Sequence, residues 1–358
     1  MKNKLSYSQV TTYAECGQKW KYHYKDKLRP KSQSAALLFG SALDRAVAQM
    51  LKPQDATDPK EAFKKAWSYA EVNKRLTKLD TCADIVYADA DCDLELLKAE
   101  DIAELKALDS NWEDTFKTIV EGKASVGWKF LPDDKKSFYN KVVWHSLYRK
   151  GLILLHGFEK QILPNIEEVL SVQEEIGLDN ESDEVIGFID FVVRYKGYDS
   201  PVIVDLKTAS RAYDKDAVLT SPQLATYLHA VSGKYKTRYA GYIVLNKQVN
   251  KNKEKTCTTC DQDGSGSRAK TCDKVIDGER CSGEWSVKIK PTAFIQVLID
   301  KIPVRTEELV LENLDAINES MHKEIVHRNF NACIKYGKIK CPFYGICWEN
   351  NFSEVEKV

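Results

Sequence analysis

Two aspartates and a lysine stand inside apolar, β-branched runs, where a charge is costly to bury without a partner. Asp190 interrupts residues 185–195, and Asp205 and Lys207 close residues 201–207. Residues 196–200, with Gly197, read as a turn between the two runs, so a β-hairpin is expected. Residues two apart in a strand share a face, which puts Asp205 beside Lys207. Ordinary hairpin pairing then brings Asp190 within reach of Asp205, giving a divalent-cation site with an ammonium group next to it. Gln223 and Tyr227 are one turn apart on a helix expected over 221–231 and so share one face.

A second group of donors is made of sulfur. Residues 249–284 are polar and lysine-rich and hold Cys257-x-x-Cys260, then Cys272 and Cys281. The Cys-x-x-Cys knuckle offers two thiolates to one tetrahedral ion, and the later two close the site. A segment with almost no apolar core needs a metal to hold it folded, so structural zinc is expected, with free thiols as the alternative.

Gly187-x-x-Asp190, Asp205-Leu206-Lys207 and Gln223-x-x-x-Tyr227, in that order, resemble the PD-(D/E)XK nuclease superfamily, specifically its RecB-like branch. That branch includes CRISPR-associated adaptation nucleases, AddB-type helicase-nuclease subunits and phage exonucleases. The resemblance implies an α/β (α+β) restriction-endonuclease-like core, with a central mixed sheet flanked by helices, a helical subdomain and a small cysteine-rich insertion. It implies Mg²⁺ or Mn²⁺ held by Asp190, Asp205 and the carbonyl of Leu206. Lys207 would orient or deprotonate the attacking water, and Gln223 and Tyr227 would position the substrate. The implied reaction is phosphodiester hydrolysis by a DNA exonuclease in end processing or recombination, alongside a recombination or helicase partner protein.

The resemblance extends to both chain ends. Ser6-x-Ser8 followed by Tyr13-x-x-Cys16 is similar to the opening of RecB-like nucleases, where this cysteine is the first iron-sulfur ligand. Cys333, Cys341 and Cys347 match the other three, so a [4Fe-4S] cluster is implied, with zinc as the alternative occupant. Two departures stand out. Seven residues separate Cys333 from Cys341 where the family commonly has two between them, and relatives carry Gly-x-x-x-His where this chain has Gly40-x-x-x-Asp44. Asp44 is therefore either a ligand to a hard cation or a surface carboxylate. Glu174 and Glu175 point to opposite faces of a strand expected over 167–178, so one of them can face the site.

Two other readings remain open: a non-catalytic DNA-binding recombination accessory protein, and a CRISPR-adaptation nuclease that trims fragments. The insertion at 249–284 fits a phage or prophage exonuclease better.

Composition bounds these readings. The 358 residues are 43% hydrophobic and 30% charged, with 53 basic against 53 acidic residues, so net charge does not announce a nucleic-acid partner. No apolar run approaches the roughly 20 residues of a membrane span. The opening MKNKLSYSQ lacks an apolar signal segment, so a cytoplasmic location in a bacterial cell, phage-encoded or not, is expected. Ten cysteines in such a chain read as metal ligands rather than disulfides. Basic and aromatic residues are interleaved in 1–40, an edge suited to phosphates and bases, whereas 80–114 is acidic.

The positioning elements follow from periodicity. Helices are expected over 6–28, capped by Ser8, and over 35–51, 135–161 and 305–326, with strands over 239–245 and 285–289. His145 and His156 read as packing or surface residues, and Cys82 and Cys92 as ordinary cysteines. The expected segments are 1–51, 52–166, 167–248, 249–284 and 285–358.

Overall fold

A computed structural model describes residues 3–52, 56–68, 84–86, 92–126, 131–179, 183–264, 267–276, 278–335 and 339–358; Cys82 lies outside them. Its sheet is built from β1 (Asn3–Ser6), β2 (Ile166–Asp179), β3 (Asp183–Tyr195), β4 (Val202–Ala209), β5 (Tyr239–Cys257) and β6 (Trp285–Lys301). β3 pairs antiparallel with β2 and β4 and parallel with β1; β4 pairs parallel with β5, which pairs antiparallel with β6. The sheet is therefore mixed, as expected.

Helices cover both faces, which is why the central strands read as nearly unbroken apolar runs. On one face Val202 and Val204 pack under α2 (Ala35–Leu51), α3 (Pro59–Ala66), α5 (Trp112–Val126) and α6 (Asp133–Gly157). α4 (Ala99–Leu108) joins this layer through Leu105. On the other face Ile203 packs under α7 (Pro222–Tyr235), which supplies Leu224, Leu228 and Val231. α8 (Val304–His322) packs beside α7 and α1 (Tyr7–Glu15).

The structure revises three expectations. The N-terminal helix is capped by Ser6, which accepts from the Gln9 N–H at 3.2 Å, and not by Ser8. It stops at Cys16, whose backbone is extended (φ −167°, ψ 112°), before a turn of helix at Gly17–Trp20. Residues Asn3–Ser6 form a strand because they find an open edge on β3, a partner that no local pattern announces. Thirdly, the polar segment expected over 249–284 does not begin at a break in structure. β5 runs on to Cys257 and β6 begins at Trp285, so the cysteine-rich segment is the tip of one long hairpin. Its arm is exposed along 250–254, so the alternation that marks a half-buried strand is missing there.

His145 is buried, with Asp101 and Glu104 each 3.1 Å from a ring nitrogen, and His156 is exposed. Burial raises the Cys92 thiol to about 11, as for an inert packed cysteine. Among the described residues no helix is long and apolar enough to cross a membrane.

Candidate active site

The hairpin opens where the charged residues begin. β2 lines one edge of β3; the other edge is taken by β1 at 183–186 and by β4 at 191–193. Residues 187–190 are left between them with no strand on that side. Asp190 fills part of the gap, because its Oδ2 accepts the Leu206 N–H at 2.6 Å in place of a strand carbonyl. In an extended strand a residue's C=O shares the lateral direction of its N–H, so the Leu206 carbonyl faces the same gap. Gly187 keeps the gap open: a Cβ there would stand 3.1 Å from the Tyr227 ring.

α7 brings the remaining polar groups. Its cap Ser221 accepts from the Leu224 N–H at 3.1 Å and shares a 2.6 Å hydrogen bond with the Tyr242 hydroxyl of β5, which fixes the helix start against the sheet. The Gln223 amide donates to Asp205 Oδ1 and to the Tyr227 hydroxyl, both at 2.9 Å, and its oxygen accepts from Lys207 Nζ at 3.1 Å. Asp205 is only 3% exposed. These groups line a cleft of about 590 Å³, which Gly40 and Asp44 of α2 border on the other side.

Sequence reasoning missed Gln173. Its Nε2 lies 3.2 Å from both oxygens of Asp44, from a backbone in the left-handed region (φ 52°). It sits between Val172, paired with Phe191, and Glu174, paired with Ile189, and so lies opposite Asp190. Neither neighbouring glutamate lines the cleft: Glu174 turns to Lys234 and Tyr235 of α7, and Glu175 is exposed. An irregular backbone at a polar residue inside a regular strand leaves no mark on periodicity.

Electrostatics describe a site short of positive charge. Burial, then Asp205 and Asp44, pushes the Asp190 carboxyl up to about 8. Burial followed by Asp205 raises Asp44, and burial raises Asp205 against the pull of Lys207. Lys207 stays above the usual lysine range because the attraction of Asp205 and Asp190 outweighs its burial. Asp205 Oδ2 is buried and pairs with Lys207 Nζ at 2.7 Å. Three carboxylates offset by one lysine leave negative charge in excess, and such an all-oxygen donor set fits a hard divalent cation.

Among the described residues, one group of His, Cys, Asp or Glu has donor atoms all within 4.8 Å of one another: Cys257, Cys260, Cys272 and Cys281. The sulfur pairs 257–281 and 260–272 stand 3.7 and 3.6 Å apart, too far for disulfides. A tetrahedron with metal–sulfur bonds of about 2.3 Å has edges of about 3.7 Å. N–H groups of Thr259 and Cys260 draw the Cys257 thiol down to about 7 against the effect of burial. Gly283 is required beside this group, since a Cβ would meet the Cys257 sulfur at 2.6 Å.

Cys16, Cys333, Cys341 and Cys347 are neighbours at the joined chain ends. Burial raises both the Cys341 and Cys347 thiols; Cys347 and Cys16 add to the first, Cys16 and Cys333 to the second. Cys341 N–H donates to the Cys333 carbonyl at 2.8 Å, and residues 28–30 pair with 355–357. These sulfurs do not share the 4.8 Å spacing of the hairpin tip.

A helix-covered mixed sheet whose hairpin parts around two aspartates and a lysine, with Gln223 and Tyr227 closing over them, is the frame of a nuclease. The chain belongs to the PD-(D/E)XK nuclease superfamily, whose family model matches residues 4–347. Nucleases of this superfamily generally use divalent metals. No curated protein matches the chain. Similar solved structures include a crystal structure from Eubacterium rectale described as "Putative exonuclease", with TM-score 0.31 and 10% identity over 82% of this chain and 87% of that one.

Proposed function

We propose that the protein is a metal-dependent DNA exonuclease of the RecB-like branch, acting on DNA ends in recombination and of phage or prophage type. The observation that carries this reading is the buried Asp205 carboxylate where β3 and β4 part, in a cleft it shares with Asp44, Asp190 and Lys207. Asp190, Asp205 and the Leu206 carbonyl would hold Mg²⁺ or Mn²⁺, with Asp44 in the place of the usual histidine. When bound, the cation supplies charge neutralisation at the phosphate and acidifies water. Lys207 would orient that water and offset phosphate charge. Gln223 fixes Lys207 and Asp205 relative to each other, and Tyr227 closes the cleft wall. Cys16, Cys333, Cys341 and Cys347 would hold a [4Fe-4S] cluster, a cage wider than one ion, and the hairpin-tip thiols a structural Zn²⁺.

The test is degradation of end-labelled linear and circular DNA with Mn²⁺. Linear DNA should be consumed and circular DNA spared, and Lys207→Ala should lower the rate by about 10²-fold or more. Unchanged digestion by Lys207→Ala, or equal attack on circles, overturns the reading.

A further inference from the structure

We propose that Tyr7 is a positioning residue for hydrolysis, holding Tyr227 and through it the Gln223 amide that spans Asp205 and Lys207, an inference that rests on the nuclease reading. Strand pairing sets the first link. β1 runs parallel to β3 from Asn3 opposite Asp183 to Ser6 opposite Ile186. The next residue of β3 is Gly187, where the gap beside the carboxylates begins, and the next residue of the N-terminal segment is Tyr7. Ser6 caps α1 at this point, so Tyr7 is the first residue of that helix and stands at the edge of the gap.

Tyr7 grips α7 at two consecutive residues. Its ring lies 5.8 Å from that of Tyr227, at 60°, and its hydroxyl hydrogen-bonds the Thr226 side chain. Burial, then the neighbouring Tyr227, raises that hydroxyl above the usual tyrosine range, so it stays neutral and can donate. Thr226 is itself anchored, since it is 2% exposed and donates to the Pro222 carbonyl at 2.8 Å. Tyr227 also meets Gly187, where a Cβ would stand 3.1 Å from the ring. Two contacts therefore fix the Tyr227 ring: the strand backbone at 187 and the Tyr7 ring.

That support protects a three-way set of hydrogen bonds. Gln223 Nε2 donates to Asp205 Oδ1 and to the Tyr227 hydroxyl, and its oxygen accepts from Lys207 Nζ. Tyr227 takes one of the two amide hydrogens, which fixes the plane of the amide and aims the other hydrogen at Asp205. An amide turned over would set its oxygen against the Asp205 carboxylate and its N–H groups against the Lys207 ammonium.

Tyr7 acts from outside the cleft. The cleft is lined by Gln223 and Tyr227 but not by Tyr7. A neighbouring groove of about 620 Å³, between α1, α8 and the start of α7, is lined by Tyr7 and Gln223 but not by Tyr227. The Tyr7–Tyr227 pair is thus a partition between the two spaces, and removing the Tyr7 ring gives Tyr227 room to leave Gln223.

The experiment is steady-state hydrolysis of end-labelled linear DNA by the full-length protein at saturating Mn²⁺, with thermal melting of each variant alongside. Tyr7→Ala should lower kcat by about tenfold or more with KM nearly unchanged. Tyr7→Phe, which keeps the ring, should restore most of the rate. In a Gln223→Ala background the Tyr7→Ala change should have little further effect, because the group it acts through is gone. Tyr7→Leu keeps apolar bulk without the ring and should behave as Tyr7→Ala does; it carries the test if the alanine variant does not fold. A lower melting temperature with kcat of the folded enzyme intact makes Tyr7 a purely structural residue and overturns the proposal, and so does an equal loss of rate in both backgrounds. A wild type that leaves DNA uncut sinks the nuclease reading, whereas an active wild type matched by Tyr7→Ala sinks the role of Tyr7 alone.

Discussion

The carboxylate cleft and the cysteine tip are both donor clusters, but different forces assemble them. Asp44, Asp190 and Asp205 come from α2, β3 and β4, three elements locked by cores on both faces of the sheet. Their approach is imposed by packing, and Asp190 near 8 records the electrostatic cost. The tip collects its four sulfurs within residues 257–281, where Val275 is exposed, at the end of a hairpin arm whose Val287 is exposed. The first site is framed by packed cores; the second has few apolar contacts around its sulfurs.

That contrast can be broken most directly by Asp205→Asn. DNA hydrolysis should fall by about 10³-fold, while the melting temperature of the cation-free protein stays level or rises, because Asp205 no longer repels Asp190 and Asp44 and Asp190 remains to attract Lys207. A large loss of stability instead would mean that the cleft, too, depends on its charges for folding. Cys260→Ser should do the reverse. One metal per chain is lost, proteolysis concentrates in 257–284, and the melting of the helix-covered sheet is nearly unchanged; a collapsed core would show that the tip is structurally continuous with it.

A smaller effect is expected from Gln173→Ala, which releases the Asp44 carboxylate. The apparent affinity for Mn²⁺ in the hydrolysis assay should weaken about 10-fold to 100-fold, with little change in the maximal rate. An unchanged metal dependence would place Asp44 outside the ligand set.

The smallest effect tests the helical layer that supports the cleft. Arg149 outweighs burial to hold Asp101 below the usual carboxylate range, Lys141 does the same for Glu104, and burial lowers His145. Depressed values mean stability that is present above the ordinary values and lost on acidification. The loss begins below 6.5 with His145 and continues below 4.5 and 3.8 with the two acids. Asp101→Asn should flatten the acid limb of the stability profile, read by chemical denaturation between pH 7 and 3.

Legibility of the site followed locality. Asp205 with Lys207, and Gln223 with Tyr227, are neighbours on one strand and one helix, so spacing alone brought each pair together, and the hairpin turn at Gly197 (φ 88°) added Asp190. Helix Ala35–Leu51 was equally plain, since its buried positions repeat with the helical period. Gln173 escaped because a single left-handed residue moves a side chain without disturbing the pattern around it. Strand Asn3–Ser6 escaped because its reason for being extended lies on β3, far along the chain.

The amino-acid order by itself determined which candidate groups travel together in short units, because strand and helix periods act over a few residues. Tertiary structure alone decided that β1 and β4 would share one edge of β3 and leave a gap at 187–190, and that Gln173 would hold Asp44. It also set the Phe330, Trp348 and Tyr344 rings in one row at the joined chain ends. These depend on which edges and faces remain uncovered once the core has closed, a property of the whole chain that no window of sequence contains.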